Sequence, residues 1–406
     1  MSAPVVIVGA GQGGLQAAES LRSGKYEGPI VILGEEDYAP YNRPPLSKAF
    51  LLGEYTQEQL IIRQPAVFEK KQIELRKGAR ATQVNAEDKT VTLEGGEVIE
   101  YSRLILATGS RARIPPIGNI NAAGVHCLRT LDDTLAIAKE MDKVKNLVVV
   151  GGGFIGLEMA AVARKLGKQV TVVEFAERLM ARVVSPMVSE YFLNLHQQQG
   201  CKILLNAAAA EVISDAGRVT ALRLSDGSQL EADMVVLGVG VIPNQELAQS
   251  AGVECDAGVI VDSSGQTSIK DIYALGDCTA QRMPDGSLRR LESVQNAVEM
   301  AKSVAADILG MPKPFTAAPW FWSDQYHVKL QMVGLCAGYD EVVVRGDENS
   351  DSFSWYYFRN GRLIAIDSVN SAADHMAGRK LLNADNNLSA EQAADVDFNV
   401  KQALID

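Results

Sequence analysis

One local grammar occurs twice in this chain, and it restricts the fold more than any other feature of the sequence. The first copy runs Val5-Val6-Ile7-Val8, then Gly9-Ala10-Gly11-Gln12-Gly13-Gly14, then a helix-patterned stretch, then Ile30-Val31-Ile32-Leu33 closed by Gly34-Glu35. The second runs Leu147-Val148-Val149-Val150, then Gly151-Gly152-Gly153-Phe154-Ile155-Gly156, a helix that Gly167 should stop, and Val170-Thr171-Val172-Val173 closed by Glu174. Each reads strand, glycine turn, helix, strand, acid. In such a unit the first glycine permits the tight turn, the second admits a pyrophosphate, and the third lets helix and strand pack closely. Phosphates then rest on free amides at a helix N-terminus, where the dipole favours negative charge. The terminal acid accepts hydrogen bonds from ribose hydroxyls. A lone glycine turn is a weak signal, whereas two in full context are a strong one.

Two dinucleotide units predict two dinucleotides, a flavin held permanently and a nicotinamide that comes and goes. Glu174 would repel the 2′-phosphate of NADP, so the second site is expected to prefer NADH over NADPH. Arg178 and Arg182 lie close by in sequence and would soften that preference.

The 406 residues suggest two to three domains. The run Arg103–Ser110 reads as a strand entering a turn, and Pro115-Pro116 as a crossover. The run Asp233–Gly240 is a matching strand, ending in Ile242-Pro243-Asn244. The second unit is therefore expected to be inserted into the first. The expected division is an FAD-binding domain at 1–111 and 239–315, an NAD-binding domain at 112–238, and a C-terminal domain at 316–406. In the last, DSFSWYYF, Asn360-Gly361 and RLIAIDSV form a hairpin signal. Residues 383–406 read as a surface helix or tail. The fold class is α/β: two Rossmann-like dinucleotide-binding domains, the second inserted in the first, plus a small C-terminal α+β domain.

Composition excludes several classes of function. A net charge of −11 argues against nucleic acid and against an anionic membrane surface. No apolar run is long enough to span a bilayer, and no basic residue precedes the first one, so a cytoplasmic protein is the expectation. The five cysteines include no close pair, and the four histidines no ligand pair, so neither a disulfide framework nor a metal site is expected.

Taken in order, VVIVGAGQGG, YNRPPLSK, LILATGSRARIPP, VVVGGGFIGLEMA, LGVGVIPN, TSIKDIYALGDC, ESVQNA and APWFWSDQY resemble the two-dinucleotide flavoprotein disulfide-reductase superfamily. Within it the chain is most similar to the FAD-dependent NADH:ferredoxin reductases of the putidaredoxin, rubredoxin and biphenyl-dioxygenase systems. The resemblance covers nearly the whole chain. It implies that Gly9, Gly11, Gly13 and Gly14 cradle the FAD pyrophosphate and that Glu35 binds the adenosine ribose. It implies FAD contacts at Arg43, Lys48, Ala81, Ala107, Thr108, Gly109, Arg129, Asp277 and Val294, with Lys48 near the flavin ring and Asp277 on the ribityl chain. It implies NADH contacts at Gly151, Gly153, Phe154, Ile155, Gly156, Glu174 and Gly240. Glu158 would lie near the nicotinamide carboxamide and pair with Lys48; these two are the catalytic candidates. Trp322 would lie by the flavin on the partner side, although Trp320, Phe321 and Trp322 also read as plain core.

Disulfide reductases of this superfamily pass electrons to a cysteine pair, and related peroxide reductases use one cysteine early in the first domain. This chain has no CxxC and no cysteine between Glu35 and Leu60. Cys278 reads as a small buried hydrophobe. The resemblance thus implies that electrons go from NADH through FAD, one at a time, to a 2Fe–2S ferredoxin serving a haem-thiolate monooxygenase or a ring-hydroxylating dioxygenase. Both partners would be acidic, so a local basic patch is required, and Arg289, Arg290 and Lys302 are the candidates. Relatives imply a monomer or weak dimer. Two alternatives stay open: a reductase of a small radical such as monodehydroascorbate, and an NADH-sensing flavoprotein resembling apoptosis-inducing factor.

Overall fold

A computed structural model describes residues 3–405 and divides into two compact units. The first comprises the chain up to Asn42, Gln57–Arg111 and Val241–Thr316; the second comprises Arg43–Thr56, Ala112–Gly240 and the chain from Ala317 onward.

The first unit is built on a five-stranded parallel sheet in the order Ile272–Ala274, Arg103–Leu106, Val5–Val8, Ile30–Leu33, Ile73–Arg76. Every residue of Val5–Val8 and of Ile30–Leu33 is buried. Unbroken apolar runs are what strands covered on both faces require, and they explain why neither strand alternates. Helix Gln12–Ser23 follows the first glycine turn and packs against helix Val294–Ile308. A three-stranded antiparallel sheet, Ala81–Asn85, Thr90–Leu93 and Val98–Glu100, precedes the strand Arg103–Leu106.

The second unit repeats the plan. Its parallel sheet runs Lys202–Leu204, Gln169–Val173, Asn146–Val150, Met234–Leu237, Val125–Cys127. Helix Phe154–Lys165 ends as its sequence predicts. Gly167 takes φ +78°, its amide donates to the Arg164 carbonyl and the Lys168 amide to that of Ala163, the paired bonds of a Schellman stop. Helix Leu131–Met141 starts on a capping box between Thr130 and Asp133, and helix Pro186–Gln198 on the Ser185 hydroxyl.

The same unit contains a five-stranded antiparallel sheet, in the order Trp320–Gln325, Val328–Gly334, Arg362–Val369, Phe353–Arg359, Glu341–Gly346. Asn360 and Gly361 form its tight hairpin at φ +49° and +71°, the conformation the dipeptide predicts. One face of this sheet shares its core with the nucleotide-type fold beside it. Trp355 and Tyr357 share one buried cluster with Val149 and Val172 of the parallel sheet, Leu157 of helix Phe154–Lys165, and Leu51.

The C-terminal segment differs from its expectation. Expected as a surface helix or tail, it does contain a short helix, Ala390–Ala394, but it also seats Leu388, Ala393, Val400 and Ala403 in a cluster with Tyr356, Phe358 and Leu381. Arg345 holds it there, donating to the carbonyls of Ala393, Asp395, Val396 and Phe398. Composition misled because the stretch is acidic on its outer positions and apolar at the few that face the sheet. Among the described residues no helix is long and apolar enough to cross a membrane.

Candidate functional site

The two glycine turns have nearly the same construction, and each is complete within its own unit. Gly9 and Gly151 open the turns at φ +117° and +111°, a region closed to most side chains. A Cβ on Gly14 would lie 2.0 Å from the Gly9 carbonyl oxygen, and one on Gly156 would lie 2.2 Å from that of Gly151. These glycines let the helix lie against the strand. Between them, Gly11 and Gly153 are the helix N-caps. A Cβ on Gly11 would meet nothing within 4 Å, and one on Gly153 only the Gly238 oxygen at 3.9 Å. Neither helix has a side-chain cap or an acid in its first turn, whereas the helices beginning at Leu131, Pro186 and Val294 are all capped by hydroxyls. First-turn amides without a protein partner need one from outside, and a pyrophosphate supplies it. The residues present therefore fit two dinucleotides.

The terminal acids differ. The Glu174 carboxylate accepts from the Gly152 amide at 2.5 Å and the Ala176 amide at 2.7 Å, bracing the turn from below. Glu35 is exposed and pairs loosely with Arg80 at 3.4 Å. Arg178 was expected to soften the preference for NADH. Its guanidinium is spent on the carbonyls of Ala181 and Val184 and the Ser189 hydroxyl. Arg182 is exposed, and a Cβ on Gly240, itself at φ +97°, would lie 3.1 Å from its Nη2.

Of the other expected FAD residues of the first unit, Ala107, Thr108, Gly109 and Asp277 follow the C-terminal ends of its parallel strands. The Ala107-Thr108-Gly109 turn is stitched to the Pro243-Asn244 turn. The Thr108 hydroxyl donates to the Asn244 carbonyl at 2.6 Å, and the Asn244 amide group returns a bond to the Thr108 carbonyl at 2.9 Å. Asp277 accepts from the Ser110 hydroxyl at 3.2 Å. Val294 begins its helix behind the Ser293 cap, and Ala81 begins a strand. Gly13 packs, since a Cβ there would lie 2.5 Å from Leu275.

In the second unit, Lys48 and Glu158 meet, 110 residues apart in sequence. Lys48 Nζ lies 2.6 Å from Glu158 Oε2, with the Pro44 carbonyl as a further acceptor at 3.2 Å. Glu158 is 2% exposed. Its carboxylate also accepts from Ser47 Oγ at 2.6 Å on Oε2 and Ser323 Oγ at 2.6 Å on Oε1. A buried carboxylate is costly unless its oxygens are filled with donors, and here they are. Sequence reasoning missed Ser47 and Ser323; the signal for Ser323 was a polar residue facing inward on a strand whose other face carries tryptophans. Arg43 donates to the Arg129 carbonyl at 3.0 Å. Phe154 packs on Phe321 with ring centroids 4.9 Å apart, and Ile155 is exposed beside it. Trp322 is half-buried, its ring 5.7 Å from that of Trp320.

All five cysteines are free thiols. Cys278 is fully buried, its Sγ 3.3 Å from the Leu275 carbonyl, and burial pushes its thiol up, away from the reactive thiolate. Among the described residues no three His, Cys, Asp or Glu side chains come together as a metal site would need. Of the basic candidates, Lys302 is exposed and pairs with Glu299. Arg289 and Arg290 are half-buried, Arg290 pairing with Glu292.

Comparison with known proteins agrees with this geometry. Residues 3–301 match the pyridine nucleotide-disulphide oxidoreductase family, and residues 320–404 match the reductase C-terminal family. The chain is 44% identical over 401 residues to rhodocoxin reductase of Rhodococcus erythropolis, covering 98% of this chain and 94% of that one. It is 40% identical to putidaredoxin reductase of Pseudomonas putida, over 93% of this chain and 91% of the relative. Among solved structures, a ferredoxin reductase from Rhodopseudomonas palustris superposes with a TM-score of 0.96 at 45% identity, over 100% of both chains. The covalent putidaredoxin reductase–putidaredoxin complex gives 0.94 at 37% identity, covering 99% of this chain and 98% of that one.

Proposed function

The chain belongs to the pyridine nucleotide-disulphide oxidoreductase family, and from that premise we propose that it is an NADH-dependent flavoprotein reductase that delivers electrons to a 2Fe–2S ferredoxin of an oxygenase system. The observation that carries the reading is the doubled open, uncapped glycine turn, one in each unit. Relatives that match over nearly the whole chain are named as reductases of such carriers. FAD, when bound, takes up a hydride from NADH and passes electrons on singly, which joins a two-electron donor to a one-electron iron–sulfur carrier.

This chain's residues supply placement and charge. The first unit, expected at 1–111 and 239–315, holds FAD through Gly9, Gly11, Gly13, Gly14, Glu35 and Asp277. The region expected at 112–238 holds NADH through Gly151, Gly153, Gly156 and Glu174. Glu158 faces the nicotinamide carboxamide and holds the Lys48 ammonium at a fixed point, so that a cation stands where negative charge builds up during hydride transfer. Trp322 presents an aromatic surface to the partner. The acceptor docks on a local basic patch of which Lys302 is the most exposed member. The protein works in the cytoplasm as a monomer or weak dimer.

The test is anaerobic mixing of the purified flavoprotein with NADH, followed by oxidised 2Fe–2S ferredoxin. Rapid bleaching of the flavin band and ferredoxin-dependent return are expected. Bleaching with no return by any ferredoxin points to a small-molecule acceptor, and slow bleaching by both nicotinamides removes the enzyme reading. Lys302→Glu is expected to raise the ferredoxin KM several-fold while NADH oxidation by ferricyanide is unchanged. A parallel fall in both activities discards the docking patch.

A further inference from the structure

Behind Glu158 the second unit holds a buried line of polar side chains that the proposed chemistry leaves unused. Strand Trp320–Gln325 turns Trp320 and Trp322 to one face and Ser323 and Gln325 to the other, as the two-residue period requires. Ser323 and Gln325 are both 0% exposed. Ser323 Oγ donates to Glu158 Oε1 at 2.6 Å, and Gln325 Nε2 donates to Ser323 Oγ at 3.2 Å. Gln325 Oε1 lies 2.8 Å from His196 Nε2, on helix Pro186–Gln198. His196 Nδ1 lies 3.1 Å from the Tyr326 hydroxyl, which lies 3.3 Å from Cys201 Sγ.

The chemistry of the groups fixes the direction of every bond. A carboxylate only accepts, so the Ser323 hydrogen points at Glu158 and its oxygen must accept from Gln325. That turns the Gln325 amide so that its NH₂ faces Ser323 and its oxygen faces His196. His196 must then carry its proton on Nε2, which leaves Nδ1 to accept from Tyr326, whose oxygen accepts from the Cys201 thiol. The imidazole is 0% exposed, and burial pushes it down to about 4, so the neutral form this pattern needs is the one present near neutral pH.

We propose that Ser323, backed by Gln325 and His196, is a positioning residue for the proposed hydride transfer, and that the Glu158 carboxylate polarises the whole line in one direction. The line fixes Glu158 Oε1, as Ser47 and Lys48 fix Oε2, so the Lys48 ammonium is held at one point. Loosening it blurs the geometry that the transfer needs without touching the nucleotide turn, and small misplacements near a reacting centre are costly. This rests on the functional reading above, but the polarity does not.

The experiment has two arms on the FAD-loaded protein. In the first, the ¹⁵N shifts of the His196 imidazole are read by NMR, assigned by their loss in His196→Asn. The wild type is expected to show the Nε2–H form. Glu158→Gln is isosteric, and its amide NH₂ cannot face the Lys48 ammonium, so it must face Ser323. That reverses each bond in turn, and His196 is expected to switch to the Nδ1–H form. The same tautomer in both proteins, or Nδ1–H in the wild type, overturns the polarised line whatever the activity. In the second arm, Ser323→Ala is expected to lower the limiting rate of flavin reduction by NADH about tenfold, with the half-saturating NADH concentration within about twofold. Gln325→Met removes the donor to Ser323 Oγ but spares the Ser323–Glu158 bond, and is expected to lose less. Unchanged limiting rates in both variants overturn the positioning role. A wild type that NADH does not reduce sinks the functional reading and leaves the first arm to decide the line.

Discussion

Superposed by register, the two glycine turns differ by a reciprocal exchange. The Gly9 amide donates to the Leu33 carbonyl and the Gly151 amide to that of Val173, so Gly34 and Glu174 are equivalent positions. In the first turn Ala10 supplies the bulk: a Cβ on Gly34 would lie 2.7 Å from the Ala10 methyl. In the second, the position of Ala10 is Gly152, and the space is taken by Leu179, whose Cδ2 would lie 2.6 Å from a Gly152 Cβ, and by the Glu174 side chain, whose Oε2 would lie 3.0 Å from it. One turn is therefore closed by a methyl group with its acid, Glu35, displaced one residue outward into solvent. The other is closed by the acid itself, together with Leu179. A methyl-closed turn needs no charge to hold its shape, which suits a cofactor that stays. An acid-closed turn holds a fixed negative charge at the end of its second strand; under the proposed function that charge would stand beside the ribose of a nucleotide that comes and goes, and would discriminate between nucleotides.

The largest expected effects would break this comparison outright. Gly14→Ala and Gly156→Ala each drive a Cβ into a backbone carbonyl and should each cost about 1–3 kcal/mol of stability or more. The first should purify without flavin; the second should keep its flavin and lose reduction by NADH. Flavin content and NADH-driven bleaching of the two proteins check this, and identical losses would mean that the turns do not divide the labour.

A smaller effect separates the units by pH. In the second unit Asp367 is 4% exposed, and burial pushes its carboxyl up to about 7, with the Tyr357 hydroxyl donating to it at 2.9 Å. An unfolded aspartate titrates near 3.9. The folded protein thus keeps a proton that the unfolded chain gives up. That contribution is fully present below about pH 4 and is lost as pH rises through about 7. His196 and His375, both pushed down to about 4 by burial, act in the opposite sense: their contribution is present above about pH 6.5 and lost as pH falls towards 4. Asp367→Asn removes the first contribution only. The melting temperature of the variant relative to wild type is expected to climb from about pH 5 to about pH 8; a flat difference would mean that Asp367 is already ionised in the fold.

The smallest effect sharpens the contrast between the acids. Glu35→Ala should change the stability of the flavin-free protein by no more than about 0.5 kcal/mol, because its side chain is exposed and its pair with Arg80 is a surface one at 3.4 Å. FAD affinity should fall about tenfold with the lost ribose bond, measured by titration of the flavin-free protein. A large loss of stability would show a structural duty that its exposure does not suggest.

Much of this was legible in the sequence because it is written locally. Strand runs, glycine turns, the Gly167 stop and the Asn360-Gly361 hairpin each depend on residues within one turn or strand of each other. The exchange, Ala10 against Gly152 and Gly34-Glu35 against Glu174-Phe175, was not read from the sequence, because it needs the strand register that the backbone hydrogen bonds supply. The buried line from Glu158 to Cys201 was not legible. Its bonds tie Glu158, His196 and Cys201 to residues 323–326, more than a hundred residues away, and a lone histidine in a helix carries no sign of its partners. The resemblance implied the Lys48–Glu158 pair, which the structure shows, but not that the whole segment Arg43–Thr56 belongs with the second unit, joined to it by Ser47 and Leu51 as well. Arg178 misled for the converse reason: a charge near a site in sequence was committed to neighbouring carbonyls.

The most direct test of the exchange compares NADH with NADPH on the wild type and on Glu174→Ala, following the flavin band anaerobically after rapid mixing. The expected result is reduction of the wild type at least about tenfold faster with NADH than with NADPH at equal, subsaturating concentration, with the ratio collapsing in the variant. Equal rates with both nucleotides in the wild type, or an unchanged ratio in Glu174→Ala, would contradict it.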